Sequence, residues 1–249
     1  MPDLPPAFLA RPIAHRGLHG CAGPENSRAA IAAAIAADYG IEMDLQVSAD
    51  GVALVFHDDN LDRLTHAKGA VAARKARDLT HLRLRGTSEH IPTLREVLTL
   101  VAGRVPLLIE IKDQSRILGP IDGRLEADTA AALADYDGPV AVMSFNPHSM
   151  AHMARLAPQV PRGLVTCAFA PHDWPGVAPD RLAALAVMAD IDRVGASFIS
   201  HDRRTLDMGA VAQLDAKGTP VLCWTIRSPE QAKQARAVAD NITFEGYTP

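Results

Sequence analysis

Cysteine is scarce in this 249-residue chain and odd in number: Cys21, Cys167 and Cys223 are the three, with no CxxC pair and no cysteine–histidine spacing suited to a metal. Neither a cysteine metal site nor a cysteine nucleophile is therefore expected. Cys167 and Cys223 fall in apolar, strand-like stretches and read as small buried hydrophobes, while Cys21 lies in a glycine-bearing loop. Aromatic residues make up 4% of the chain against 48% apolar residues overall, and alanine is abundant in runs such as 29–37. That balance favours close-packed helices over an aromatic-rich β-sandwich. Positive charge is not in excess: 25 basic and 29 acidic residues leave a net charge of −4. A nucleic-acid binder needs a broad basic surface, so none is expected; a small phosphate ester needs only a few focal cations. No apolar run approaches the roughly 18 residues of a membrane-spanning helix. The N-terminal MPDLPPAFLARPIAH also lacks a basic segment followed by an apolar core. We therefore expect a soluble, unexported, cytoplasmic protein without stable membrane insertion. No internal repeat or low-complexity linker interrupts the chain, and residues 1–249 are expected to form one domain.

What is present is organised around residues 40–60, GIEMDLQVSADGVALVFHDDN. Apolar residues alternate at Ile41, Met43, Leu45 and Val47 and again at Val52, Leu54 and Phe56, the period of two strands. Asp50-Gly51 between them predicts a two-residue hairpin turn. That register pairs Val47 with Leu54, Leu45 with Phe56 and Asp44 with His57, and places Phe56 on the apolar face with Met43 and Leu45. Asp44, His57 and Glu42 then share the opposite face. Two carboxylates this close resist joint ionisation. A divalent cation with a preference for hard oxygen ligands, Mg2+ or Ca2+, would remove the conflict.

Around this segment, strands and helices alternate. Strands are expected to begin at or near Pro12, Ile41, Leu107, Val140, Gly163, Ala196, Val221 and Ile242, with Val52–Phe56 as an extra return strand. Between them lie an alanine-rich helix capped by Asn26 or Ser27, a helix opened by a Thr93–Glu96 capping box, and helices near 124–135, 147–156, 179–188, 206–216 and 229–238. Residues 58–90 are irregular and basic and read as a short insertion after the second barrel strand. Eight βα units in this length predict an α/β fold, the TIM (β/α)8 barrel; a doubly wound sheet is the alternative, but the first strand-to-helix turn has no GxGxxG. In a barrel, His15 and Arg16 end the first strand, Glu42 and Asp44 lie late in the second, and Glu110 and Lys112 end the third. All six would meet at the carboxyl-end rim, where sites form in this architecture.

The series HRG (15–17), PENS (24–27), E-x-D (42–44), S-x-DG (48–51), HDxxLDR (57–63), PTLxEVL (92–98) and E-x-K (110–112) resembles the glycerophosphodiester phosphodiesterases. The resemblance is strong over about residues 12–113 and scattered afterwards. It implies hydrolysis of glycerophosphodiesters to glycerol 3-phosphate and an alcohol. It also implies one divalent cation on Glu42, Asp44 and Glu110, catalytic histidines at His15 and His57, phosphate-holding cations at Arg16 and Lys112, and an aromatic near the glycerol pocket at Trp224. The chain departs from the family pattern at Arg227, where Asn is usual, and at Phe244-Glu245-Gly246-Tyr247, where the aspartate and proline of ITDxP are missing. Both departures lie on late strands expected to help form the substrate pocket.

Hydrolysis of a phosphodiester accumulates negative charge on its oxygens, so focal cations are needed, and two imidazoles can divide the proton transfers. His15 is read as the base and His57 as the acid, with the exchanged assignment open. The nucleophile is water or the substrate's own glycerol hydroxyl. Glu25 is a partner of Arg16 or a first-turn helix charge, and His19, His201 and Asn146 are pocket-lining residues or ordinary loop and strand-end residues. The alternatives in function are a phospholipase of similar barrel type, either phospholipase D-like or phosphoinositide-cleaving, and a barrel that binds phosphodiesters without turnover. The expected partner is a small-molecule substrate.

Overall fold

Alternation in the sequence becomes the two faces of a closed sheet. The computed structural model describes residues 2–249. Its strands are β1 (Ile13–Ala14), β2 (Gly40–Val47), β3 (Ala53–Val55), β4 (Leu107–Ile111), β5 (Val140–Ser144), β6 (Arg162–Thr166), β7 (Phe198–Asp202), β8 (Val221–Ile226) and β9 (Asn241–Phe244). All but β3 pair in parallel and form a ring, which closes because Ile13 of β1 faces both Gly40 of β2 and Thr243 of β9. With helices between its strands this is the expected TIM barrel; β3 runs antiparallel to β2 outside the ring. Helix starts follow local chemistry: Ser27 Oγ accepts from Ala30 N–H at 3.1 Å, and Thr93 and Glu96 form the capping box.

Met43, Leu45, Ile109, Ile111, Val142 and Ile199 point outward into the main core against the helices. Their neighbours point inward. At the amino-terminal end these are apolar, and Ile13, Leu108, Ala141, Phe198 and Leu222 pack with Leu4 and Phe8. Phe8 sits on a short helix, Ala7–Ala10, that plugs the barrel floor. Sequence periodicity does not reveal it, because four residues are too few to show a period. Its fully buried ring contributes roughly 1.5–3 kcal/mol. Towards the carboxyl end the inward positions turn polar, and this end carries the site.

The hairpin differs from the expected register by one residue. Leu45 pairs with Val55, Gln46 with Leu54 and Val47 with Ala53, so the loop contains three residues, 49–51, rather than two. Ser48 is the cause. Its Oγ accepts from Val52 N–H at 2.9 Å and donates to Asp50 at 2.7 Å. Gly51, at φ +85°, supplies the left-handed residue that closes three-residue hairpin loops. Asp44 therefore stands opposite Phe56 and not His57; its carbonyl accepts from Phe56 N–H at 3.0 Å. Phe56 also leaves the Met43 face. With Leu54 it packs on Leu61, Val71, Leu79, Leu84 and Ile91, a small apolar cluster that anchors the insertion. No helix among the described residues is long and apolar enough to cross a membrane.

Candidate active site

Strand register builds the acidic centre. Asp44 of β2 lies beside Glu110 of β4, and Glu42 shares the inward face one pleat lower. All three carboxylates are buried, and one oxygen from each lies within 4.8 Å of the others. Two cations meet them. Lys112 Nζ is 2.7 Å from Asp44 Oδ1 and 2.7 Å from Glu110 Oε1, and Arg16 Nε is 3.2 Å from Asp44 Oδ2. Asn26 Nδ2 donates to the same Asp44 oxygen at 2.8 Å.

The charges are unevenly shared. Burial, then the adjacent Asp44 and Glu110, pushes the Glu42 carboxyl well above the ordinary carboxylate range. Burial also opposes ionisation of Asp44, but Lys112, His57 and Arg16 outweigh it and hold that carboxyl well below its usual range. Burial likewise opposes the Lys112 charge, and Asp44 and Glu110 reverse the effect and raise its pKa. Three buried hard-oxygen donors, one of them resisting ionisation, fit a divalent cation of the Mg2+ or Ca2+ kind.

The loop after β1 wraps onto this centre. Arg16 and Gly17 are both left-handed, at φ 55° and 77°, and this turn lets Arg16 N–H donate to Glu42 Oε2 at 3.0 Å. A Cβ on Gly17 would lie 2.9 Å from the Ala30 backbone, so only glycine fits. Glu25 proves to be a partner of Arg16: its Oε1 accepts from Arg16 Nη1 at 2.7 Å, and both its oxygens bind Arg63, at 2.7 and 2.8 Å.

The two histidines flank the acids. His15 Nε2 is 3.9 Å from Glu42 Oε2, while its Nδ1 is bonded to Glu245. Burial and then Arg16 lower the His15 pKa against the opposing pull of Glu245. His57 leaves the end of β3 with Nδ1 2.7 Å from Asp58 Oδ1. Asp58 in turn binds Arg63 Nε and Nη2 at 2.7 and 2.8 Å, and that pairing outweighs partial burial to bring its carboxyl down to about 2.

A cleft of about 230 Å3 is lined by His15, Arg16, Glu42, His57, Glu110, Lys112 and Trp224, and Asp44 is paired with its Arg16 and Lys112. All eight residues singled out in the sequence thus converge. A wider cleft of about 700 Å3 adjoins it and shares His57, Glu110, Lys112 and Phe145. Phe145 packs edge-on against Trp224 at 5.7 Å and lies 5.2 Å from Trp174, which walls the wider cleft. Trp224 is fixed by Nε1 donating to Ser200 O at 2.9 Å. Two other candidates have structural tasks. His201 is buried among Thr166 and Thr205. Asn146 caps the helix Pro147–Leu156 and holds Asp113 at 2.7 Å. His19 lies at the rim, 3.6 Å from Glu245. Sequence reasoning gave no role to Arg63, to Asn26 as a partner of Asp44, or to Glu245; HDxxLDR and PENS were the signals for the first two.

Comparison with known proteins agrees with this geometry. The profile of the glycerophosphoryl diester phosphodiesterase family matches residues 15–241. A glycerophosphodiester phosphodiesterase from Caldanaerobacter subterraneus is 33% identical over 163 residues, covering 61% of this chain and 65% of that protein. YhdW of Bacillus subtilis is 27% identical over 236 residues, covering 91% and 90%. An Oleispira antarctica phosphodiesterase, solved in complex with the product sn-glycerol-3-phosphate, superposes with a TM-score of 0.78 at 25% identity, over 96% of this chain and 94% of that one.

Proposed function

The chain belongs to the glycerophosphoryl diester phosphodiesterase family, and from that membership we propose that it hydrolyses small glycerophosphodiesters to glycerol 3-phosphate and an alcohol, with a divalent cation. Residues 1–249 act as one domain in this reading. The observation that carries it is the convergence of three buried carboxylates, two cations and two imidazoles on one 230 Å3 cleft.

Glu42, Asp44 and Glu110 would hold a divalent cation, which supplies Lewis acidity toward a phosphoryl oxygen when bound. Arg16 and Lys112 neutralise the charge that grows on the phosphoryl oxygens. His15, through Nε2, removes the proton from the attacking hydroxyl, and His57 returns a proton to the departing alkoxide, so the two transfers balance. Position supports this division of roles: His57 lines both clefts, whereas His15 lines only the smaller one. The glycerol phosphate then occupies the smaller cleft beside Trp224, and the alcohol leaves through the wider one past His57. Either water or the glycerol 2-hydroxyl is the nucleophile. An unchanged rate on a substrate lacking that hydroxyl eliminates the internal route.

The direct test is release of glycerol 3-phosphate from glycerophosphocholine. We expect turnover that EDTA abolishes and Mg2+ or Ca2+ restores. Turnover only on micellar lipid, or binding without turnover, contradicts the proposal.

A further inference from the structure

Glu245 is an anion of the rim that neither the acid cluster nor the phosphate-facing cations use. It follows β9 directly. Its N–H donates to Ile226 O at 2.9 Å, and Phe244 O accepts from His15 N–H at 2.9 Å. The barrel closure thus sets the ends of β8, β9 and β1 side by side and gathers Arg227, Glu245 and His15. Arg227 Nε and Nη2 both reach Glu245 Oε1 at 2.7 Å. The other oxygen, Oε2, meets His15 Nδ1, with His19 Nε2 farther off at 3.6 Å.

We infer that Glu245 is the positioning residue of His15 and that Arg227 fixes Glu245 in turn, an inference that rests on reading His15 as the base. A neutral imidazole carries its proton on either nitrogen, and only one tautomer leaves Nε2 free to accept. A carboxylate on Nδ1 selects that tautomer and favours the imidazolium formed when Nε2 takes a proton. Nε2 is the nitrogen that faces Glu42 at 3.9 Å. Arg227 grips the oxygen that His15 does not use, and so limits rotation of a glutamate at the solvent edge. The same order recurs across the site, where His57 is backed by Asp58 and Asp58 by Arg63. Arg227, a departure from the family pattern, therefore has its partner in Glu245, inside the 244–247 segment that departs as well.

A double-mutant cycle on the Ca2+-loaded enzyme tests this. Glu245→Ala is expected to lower kcat roughly 10- to 100-fold with KM within about threefold, and Glu245→Gln, which can still accept from Nδ1–H, to lose less. Arg227→Ala should show a smaller loss in kcat. In a His15→Ala background, Glu245→Ala should cost nothing further. An equal loss in both backgrounds, or a kcat for Glu245→Ala within twofold of the parent, overturns the inference. Nitrogen-15 NMR of the ring keeps the question decidable if the His15→Ala enzyme is too slow to measure. The His15 proton should sit on Nδ1 in the parent and redistribute toward Nε2 in Glu245→Ala; an unchanged tautomer also overturns it. Wild-type rates for His15→Ala would instead remove His15 from the mechanism and leave the family assignment untouched.

Discussion

An imidazole does directed acid–base work only when one nitrogen is tied and the other aimed. His57 is tied through Nδ1 to Asp58 at 2.7 Å, which leaves Nε2 for the alcohol. His57→Ala should therefore lower kcat by on the order of 10²-fold or more, with the melting temperature nearly unchanged because the ring is part-exposed at the cleft. A near-normal rate would remove it from the mechanism. Glu126 is an ionisable residue with a stability consequence instead. It is 1% exposed, faces Ser149, and burial raises its pKa, with Asp122 and Asp113 adding to the effect. A carboxyl raised in the folded state leaves stability intact below its unfolded pKa of about 4.3, and stability is lost as pH climbs through the folded value. Glu126→Gln should thus raise the melting temperature at pH 8 by a few degrees, about 2–4 °C per kcal/mol in a chain of this size, and the gain should vanish near pH 4. A gain that is the same at both pH values would show that ionisation is not the cause.

At the scale of elements, the helix Leu94–Val101 owes its start to Thr93, whose Oγ1 accepts from Glu96 N–H at 3.2 Å while Glu96 returns the bond to Thr93 N–H at 2.7 Å. Thr93→Ala should cost about 1 kcal/mol, read as a lower midpoint in urea with an unchanged slope; a changed slope would mean that more than the cap was lost. This helix was legible because its cap, its apolar face and its end are all local. The barrel strands were legible for the same reason: alternation at Met43 and Leu45 and the apolar run before Glu110 are read along the chain. The hairpin loop was misread because Asp50-Gly51 carries a two-residue signal that the Ser48 hydroxyl overrides. The floor helix Ala7–Ala10 has too few residues for a pattern. Glu245 could not be read as a partner of His15, since 230 positions separate them and only closure of β9 onto β1 brings them together. Glu42 and Asp44 were legible as two carboxylates two residues apart on one strand, whereas Glu110 joined them as a ligand through the family resemblance, and the register of β4 beside β2 brings it to them.

At the scale of the whole molecule, the acidic centre links cation binding to folding. Without a divalent cation, burial and the neighbouring Asp44 and Glu110 hold the Glu42 carboxyl high, and it resists ionisation. At neutral pH the folded chain therefore bears a conflict, between holding a proton that the unfolded chain sheds and crowding like charges, that the unfolded chain escapes. Glu42→Gln removes that conflict and keeps a side-chain oxygen for Arg16 N–H, now 3.0 Å from Glu42 Oε2. In EDTA at neutral pH the variant should melt above the parent. Cation binding reverses the order, because a ligand held only by the folded state stabilises it by about 2.7 kcal/mol at a hundredfold excess over Kd, or roughly 5–10 °C here. The parent, with three charged donors, should gain that in Ca2+; the variant, with two, should gain much less and melt below it. Thermal melts of both proteins in EDTA and in Ca2+ therefore test the centre with no reference to catalysis. If the variant melts lower in both conditions, Glu42 is a structural acid satisfied by Arg16; if both proteins respond equally to Ca2+, the cation is held elsewhere.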